Sequence, residues 1–516
     1  MTAFSGPVAL DRDDAIALRA DLTQWTVDAV SELVGDRAVR ALGREQVVPA
    51  RLAAREAGRD PVALLTRLLM LGETLTRADV EWALPTLGAE GAARCGLIAV
   101  QGAGSDDMAR AVVDVRPYSA ANGDQETTWW VASDQGEAVT ARRLEGDHVL
   151  GIGGASTTLA SVTMRSPVGR VLDLGTGSGI QALHASMHAR EVVATDISER
   201  ALCFAEFNRS LNAPPVAWDL RRGSLLDPVA EELFNLVVSN PPFVITPPGA
   251  PSFEYRDGGI GGDGIVKSLI TGVGKVLAPG GIAQLLGNWE IRAGQTWTER
   301  LEGWLDDAAR AGWPLDAWII QRDVLDAAEY AETWLRDAGV TPERGRDAFD
   351  QAFGAYLADF DERGVEGVGF GFVTLRRSTG APTLRRLEEH EGDVASPLGP
   401  HIAAALAAHD WLETRSDAQL FDERYVVAGD VTRETFGRPT SHDPEHILLR
   451  QGGAFGRAVK ADTALAGFVG TCDGELAAGQ IAHALAALLD VPSGRMIEGL
   501  APAIRQLVRD GMLERA

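Results

Sequence analysis

Apolar positions in the first 120 or so residues recur at helical spacing. Leu18, Leu22, Trp25 and Ala29 lie three or four apart, the interval that puts side chains on one helix face. Pro61 ahead of Val62-Ala63-Leu64-Leu65 marks a helix start, because the first turn has no use for the N–H that proline lacks. Thr76 to Leu84 reads as a short helix capped by Thr76 and stopped by Pro85. Two apolar runs follow, 96–100 and 111–115, separated by Gly102, Gly104 and Asp106, which is a hairpin signal. Helices followed by a hairpin predict a helical, winged-helix-like domain over 1–120. Short strands at Trp129-Trp130-Val131 and His148-Val149-Leu150 occupy a linking segment, 121–165.

From about 166 the pattern changes. Short continuous apolar runs alternate with helical stretches, as in a parallel sheet buried on both faces. Seven strands are predicted, at 170–174, 191–196, 216–221, 233–239, 282–288, 317–322 and 367–375, with a helical insertion at 340–364. The fold class is therefore α/β, with the sheet domain over 166–380. A Ser/Gly/Pro-marked stretch near 378–400 reads as a linker. Residues 381–516 form a mixed α/β C-terminal domain with helical patterns at 401–413, 461–470, 476–489 and 498–512. Leu500 to Leu513 resembles the recognition-helix end of a winged helix.

Chemistry concentrates at two strand ends. The first strand ends in Asp173-Leu174, then Gly175-Thr176-Gly177-Ser178-Gly179, and a helix is predicted from Ile180 to Ala189. A dinucleotide loop would need its third glycine where Ile180 stands. The loop therefore suits a nucleoside cofactor without a pyrophosphate. Asp196 ends the second strand, 21 residues after Gly175, where a carboxylate can accept from ribose hydroxyls. The fourth strand runs into Asn240-Pro241-Pro242-Phe243, at the sheet edge where open α/β folds bind ligands. An amide or exocyclic amine is a weak nucleophile because its lone pair is delocalised. The Asn240 side-chain carbonyl and the Pro241 backbone carbonyl can accept both of its N–H bonds, held stiffly by Pro241-Pro242. Phe243 offers a flat face for a planar group.

Together the two blocks resemble class I S-adenosylmethionine-dependent methyltransferases of the Asn-Pro-Pro-Phe/Tyr type. The resemblance spans about 165–290. It implies a Rossmann-like seven-stranded core with S-adenosylmethionine as cofactor. Asp173 is then near the methionine end, Gly175, Thr176, Gly177 and Gly179 under the cofactor, and Asp196 with Ile197 at the ribose. Ser224 takes the place where many relatives carry an Asp at the adenine amine, and Asn240 stands between cofactor and acceptor. Asn240, Pro241, Pro242 and Phe243 form the catalytic motif. Val244 to Pro248, followed by Arg256 to Gly264, is similar to the loop of release-factor glutamine methyltransferases, whereas Phe243 is equally at home in ribosomal RNA N-methyltransferases. A protein glutamine is the favoured acceptor. An adenine or guanine amine in RNA is the alternative. A small-molecule acceptor and a non-catalytic cofactor-binding scaffold stand behind them.

Charge bears on that choice. The formal charge of −25 gives an average field that repels nucleic acid. Arg51, Arg55 and Arg59 share a helix face near Arg37, Arg40, Arg44 and Arg67, but Glu45, Glu56 and Asp60 interrupt them, and a solvated face is the favoured reading. Cys95, Cys203 and Cys472 lie far apart, so neither a disulfide framework nor a zinc site is expected. His442 and His446 lack further ligands for a metal. No apolar run approaches the roughly 18 residues of a membrane span. The acidic N-terminus lacks a signal-peptide core, which predicts a cytoplasmic protein. Ser156, Thr157, Trp289 and Glu290 are secondary candidates near the site. His184 and His188 are read as packing residues.

Overall fold

A computed structural model describes residues 7, 9–123, 125–140, 144–248, 256–257, 259–440 and 444–516. They divide into two compact units, Met1–Ala160 with Pro167–Glu388, and Ser161–Ser166 with Glu389–Ala516.

The first unit is built on an eight-stranded sheet. Its strands are β1 (Val168–Leu174), β2 (Ala189–Asp196), β3 (Ala217–Arg222), β4 (Phe234–Ser239), β5 (Leu277–Arg292), β6 (Leu315–Asp326), β7 (Val365–Arg377) and β8 (Arg385–Glu389). They are ordered β8-β6-β7-β5-β4-β1-β2-β3. Neighbours among β1 to β5 run parallel, and β7 enters antiparallel between β5 and β6. The helices that matter for the site are α1 (Ile180–Ala185), α2 (Glu199–Asn212), α3 (Gly264–Gly272), α4 (Trp297–Arg310), α5 (Ala327–Asp337) and α6 (Pro342–Arg363).

The apolar runs explain this layering. Successive strand residues face opposite ways. Val171, Val192, Ala194, Leu236 and Val238 pack with Ala182 and Ala185 of α1 on one face. Leu172, Leu174, Val193 and Val237 pack with Ile265, Val266, Leu269 and Ile270 of α3 on the other. A strand buried on both faces must be apolar throughout.

Several expectations need correction. The sheet has an eighth strand, β8, inside the stretch read as a linker. Its anchor is the buried Asp316, which accepts from Thr383 N (2.8 Å), Leu384 N (3.0 Å) and Arg376 Nη2 (2.7 Å), partners far apart in sequence. Helix α1 stops at Ala185 rather than Ala189, because β2 begins at Ala189. The helical insertion expected at 340–364 is α6, and α5 precedes it; Tyr330 of α5 and Tyr356 and Phe360 of α6 pack around Ile245. Near the N-terminus, Ile98–Val100 pairs with Met108–Ala111, earlier than expected. Asp107 closes that turn by accepting from Gly104 N (2.6 Å), and Asp114 begins the next strand of a hairpin, Asp114–Asn122 with Gln125–Ser133. His148 to Leu150 forms no strand. Among the described residues Val149 bonds to Asp134, through its backbone carbonyl (3.0 Å) and its N–H to the Asp134 carboxylate (2.8 Å), so a side chain takes the place of a second ladder rung.

Helices and short strands before Val113 share an apolar cluster with Phe204, Phe207 and Leu211 of α2. The helix Arg77–Ala83 is capped by Thr76, which accepts from Asp79 N (3.1 Å).

In the second unit, Arg424–Val427 lies between Asp473–Ala477 and Leu513–Arg515, and Val431–Phe436, His446–Gln451 and Ala458–Ala461 form another antiparallel sheet. The helix Ser493–Arg509 buries Met496, Leu500, Ile504, Leu507 and Val508, a stripe at helical spacing. Its outward face carries Arg495, Glu498, Pro502 and Gln506. Arg505 is engaged by Asp417 (2.7 Å) and by the Leu412 and Arg415 carbonyls. No basic row faces outward from this helix. His442 lies outside the described residues, and His446 begins a strand.

Candidate active site

The carboxyl ends of β1 to β4 border a cavity of about 430 Å³, within the usual range for small-molecule sites. The glycine loop forms its floor. Gly175 N and Thr176 N both donate to Thr195 O on β2 (2.9 Å each). Gly177 has φ 54° with open space around its α-carbon, so glycine is needed there for the left-handed backbone. At Gly179 a β-carbon would meet Ala205 Cα at 3.3 Å and Trp218 at 3.2 Å. That glycine therefore serves the close approach of α2, and it is not on the cavity wall.

Two carboxylates set the loop. Asp173 is 1% exposed and accepts from Thr176 Oγ1 (2.6 Å) and Ala182 N (2.9 Å). It lies beneath the loop and is not among the residues that line the cavity. Its burial pushes the carboxyl up to about 7, against the lowering effect of those two bonds. Asp196 does line the cavity, accepting from Gly177 N and Ser198 N (2.9 Å each) with one oxygen apiece. Each oxygen retains lone-pair capacity for a hydroxyl donor. Ile197 and Ser224 also line it, as do Gly175, Thr176 and Gly177.

One further residue braces this end. Asn208 of α2 is fully buried, and its amide donates to Ser178 O (2.8 Å) and Ala132 O (2.9 Å) while accepting from Ala132 N (2.7 Å). The glycine loop is thereby tied to the hairpin that precedes the sheet.

The segment Asp147 to Gly151 makes another wall. Asp134 holds it through Val149 and is paired with Arg200. Burial pushes His148 down to about 4, so it is neutral at pH 7. Ser156 lines the cavity and its carbonyl accepts from Gln181 Nε2 (2.8 Å). Thr157 instead bonds to Gly154 O (3.0 Å). The cavity's carboxylates are Asp147, Asp196 and Asp257, and among the described lining residues there is no Lys or Arg.

Asn240, Pro241 and Pro242 form the far wall, with Asp257, Gly259, Ile260 and Ile265. The Asn240 side-chain carbonyl is buried and has no hydrogen-bond partner among the described residues. Phe243 stands just behind this wall and not on it. Its ring meets Phe370 edge-on at 6.4 Å, and its carbonyl accepts from Asn288 Nδ2 at 2.6 Å. Tyr330 Oη accepts from Ile245 N at 2.8 Å.

Trp289 and Glu290 do not reach the cavity. Trp289 is fully buried, donates to Gln321 Oε1 (2.7 Å) and stacks on Trp297 of α4. Glu290 is fully buried among Arg292, Arg300 and Arg363. His184 packs under the hairpin, 3.0 Å from Tyr118 Oη. Four of the N-terminal arginines are engaged within the domain, while Arg37, Arg40 and Arg44 are exposed. Arg51 donates to Leu71 O (2.9 Å), Arg55 and Arg67 pair with Glu73, and Arg59 pairs with Asp79. Sequence reasoning missed Asp134, Asn208 and Asn288, whose partners lie 15 or more residues away and which no local pattern marks, and it reached Asp257 only as part of the Arg256 to Gly264 segment.

Residues 151–303 match the model of the methyltransferase small domain, and residues 22–111 match a domain of unknown function, DUF7059. A ribosomal protein uL3 glutamine methyltransferase of Bradyrhizobium diazoefficiens is 31% identical over 169 residues, 30% of this chain and 52% of that protein. A release factor glutamine methyltransferase of Deinococcus radiodurans is 37% identical over 123 residues, 22% of this chain and 43% of that protein. A ribosomal protein L11 methyltransferase of Lactobacillus johnsonii is 39% identical over 103 residues, 19% of this chain and 32% of that protein. The chain thus spans about half, or less, of the length of the curated relatives it matches.

Proposed function

We propose that the methyltransferase small domain of this chain makes it an S-adenosylmethionine-dependent N-methyltransferase that modifies a planar amide nitrogen, with a protein glutamine side chain as the acceptor. The observation that carries this reading is the buried, unpartnered side-chain carbonyl of Asn240 at the end of a cavity floored by a glycine loop.

The residues present suit the cofactor. When bound, S-adenosylmethionine supplies an electrophilic methyl group on a positively charged sulfur. Three carboxylates, with no Lys or Arg among the described lining residues, favour such a cation and disfavour a pyrophosphate. Asp196 would accept from ribose hydroxyls, Ser224 would meet the adenine amine, Ile197 would cover the ring, and the loop from Gly175 to Ser178 would face the amino-acid portion.

The acceptor side follows from hydrogen-bond inventory. A primary amide has two N–H donors. Asn240 Oδ1 can take one and the Pro241 carbonyl the other, which holds the nitrogen and stabilises the positive charge it gains on reaction. Pro241 and Pro242 restrict the backbone between these acceptors and Phe243. A protein acceptor is favoured by the net charge of −25 and by the internal pairing of Arg51, Arg55, Arg59 and Arg505. Two relatives of similar sequence are glutamine methyltransferases. This reading places the enzyme in the cytoplasm; no helix among the described residues is long and apolar enough to cross a membrane.

The test is transfer of labelled methyl from S-adenosylmethionine into nuclease-treated and protease-treated cell extracts, with Asn240→Ala as control. Label lost to protease but not to nuclease is expected. The reverse pattern would transfer the assignment to an RNA amine, and cofactor binding without any label would remove the macromolecular acceptor.

A further inference from the structure

Behind the cavity, two contacts converge on the residue that closes the catalytic motif. Asn288 lies on β5, three residues beyond Leu285, which pairs with Ser239 at the end of β4. It is 0% exposed, and its amide nitrogen donates to the Phe243 carbonyl at 2.6 Å. Its partner across the ladder on β7 is Phe370, whose ring meets that of Phe243. Phe370 also stacks on Tyr330 (6.0 Å, 17° between planes), whose hydroxyl accepts from Ile245 N. The rung Asn288–Phe370 therefore holds Phe243 by its carbonyl and its ring together. Asn288 Oδ1 has no hydrogen-bond partner among the described residues. A buried polar atom left so is costly and calls for a reason beyond packing. A side chain of similar volume without polar atoms would fill the space, but it would not grip Phe243.

We propose that Asn288 is a positioning residue for methyl transfer, acting through Phe243 to hold the Asn240 carbonyl in place. This rests on the methyltransferase reading above. The mechanical link is the dipeptide Pro241-Pro242. Two ring-locked φ angles leave little freedom between Asn240 and Phe243, so fixing the Phe243 carbonyl limits where Asn240 can point. A catalytic acceptor displaced by about 1 Å loses roughly a hundredfold in rate.

Asn288→Asp separates positioning from packing, because it keeps the shape and changes the hydrogen. As a carboxylate it faces the Phe243 carbonyl with no donor. Burial raises its pKa, and once protonated it regains one O–H donor. Turnover is measured as labelled methyl transferred into nuclease-treated cell extract, alongside S-adenosylmethionine affinity by calorimetry. The expected result is a turnover at least about tenfold below wild type at alkaline pH. That loss recovers as the pH is lowered, and wild type lacks this limb, while cofactor affinity stays within about twofold. Hydrogen exchange of the protein alone gives a reading that needs no acceptor. In Asn288→Ala, amides of 243–245 should exchange about tenfold faster and those of 174–181 should not change. A rise at both loops, a rise at neither, or a pH-independent turnover in Asn288→Asp would overturn the proposal. If wild type itself labels nothing, the methyltransferase reading fails, and the exchange result still decides whether Asn288 anchors the motif.

Discussion

At the glycine-loop end of the cavity, Asp173 accepts from Thr176 and Ala182, Asp196 accepts from Gly177 and Ser198, and Asn208 uses both ends of its amide. At the Asn-Pro-Pro-Phe end, Asn240 and Asn288 each bury a side-chain carbonyl to which no described residue donates. At the first end the carboxylates and the Asn208 amide are bonded before anything binds, so their geometry is set in folding. At the second, Asn240 Oδ1 lies at the cavity wall and Asn288 Oδ1 behind it, each with no donor among the described residues. An unmade bond at a buried carbonyl costs about 1–3 kcal/mol. At the glycine-loop end the two carboxylates and the Asn208 amide are answered and the Thr195 hydroxyl is left without a described partner, whereas at the Asn-Pro-Pro-Phe end the motif's own side-chain carbonyl is the one left so.

The largest expected effect breaks the acceptor end alone. Asn240→Ala should lower turnover by about 10²–10³, the usual cost of removing one preorganised catalytic hydrogen-bonding group. Its thermal stability should stay level or rise, because an unpartnered carbonyl is lost. Turnover near wild type would remove Asn240 from the mechanism.

Asp173→Ala attacks the cradle from below. Two buried bonds disappear and leave the Thr176 hydroxyl and the Ala182 N–H without a partner, so a loss of about 2–4 kcal/mol is expected in chemical denaturation. Cofactor binding should fall with it, which is opposite to the Asn240 variant. A stable Asp173→Ala protein with unchanged cofactor affinity would show that the loop keeps its shape unaided.

Asp173→Asn reads the same clamp through pH. The folded carboxyl is held near 7 by burial, above the unfolded value of about 3.9. Between those values the folded protein retains a proton that the unfolded chain has released. The contribution of Asp173 to stability is therefore full below about pH 4 and declines as the pH rises to about 7, by at most about 4 kcal/mol. His148, held near 4, acts in the opposite sense over an overlapping window. The comparison must therefore be the wild-type melting curve against that of Asp173→Asn at each pH. The variant should gain relative stability between pH 4 and 7. A pH-independent difference would mean that Asp173 is ionised in the folded state.

Ser224→Ala is the smallest of these changes. One neutral hydrogen bond to the cofactor is worth about 1 kcal/mol, or roughly fivefold in S-adenosylmethionine affinity by calorimetry, with turnover at saturating cofactor unaffected. No change would place the adenine amine elsewhere.

Much of this site was legible along the chain because its parts are local. Val171 to Gly179 and Phe234 to Phe243 each carry a strand, a turn and the polar groups at its edge within about ten residues. The apolar runs that mark strands buried on both faces need no partner to be recognised. Strand β8 was read as a linker because what orders it is Asp316, about 70 residues earlier. The row of arginines at Arg51, Arg55 and Arg59 looked free in one dimension, while Glu73 and Asp79 hold Arg55 and Arg59 in three.

The order of residues by itself determined the strand-loop-helix unit at Gly175, the acidic end of β2 and the stiff Asn-Pro-Pro-Phe edge, since periodicity and backbone stereochemistry act between near neighbours. It did not determine which of the two carboxylates faces the cavity: Asp196 does and Asp173 does not, because that depends on how α1 closes over β1. Nor did it mark Asn208 or Asn288. A lone asparagine has no period and no motif, and its role exists only once packing brings a distant backbone carbonyl within hydrogen-bonding distance and leaves no water to compete for it.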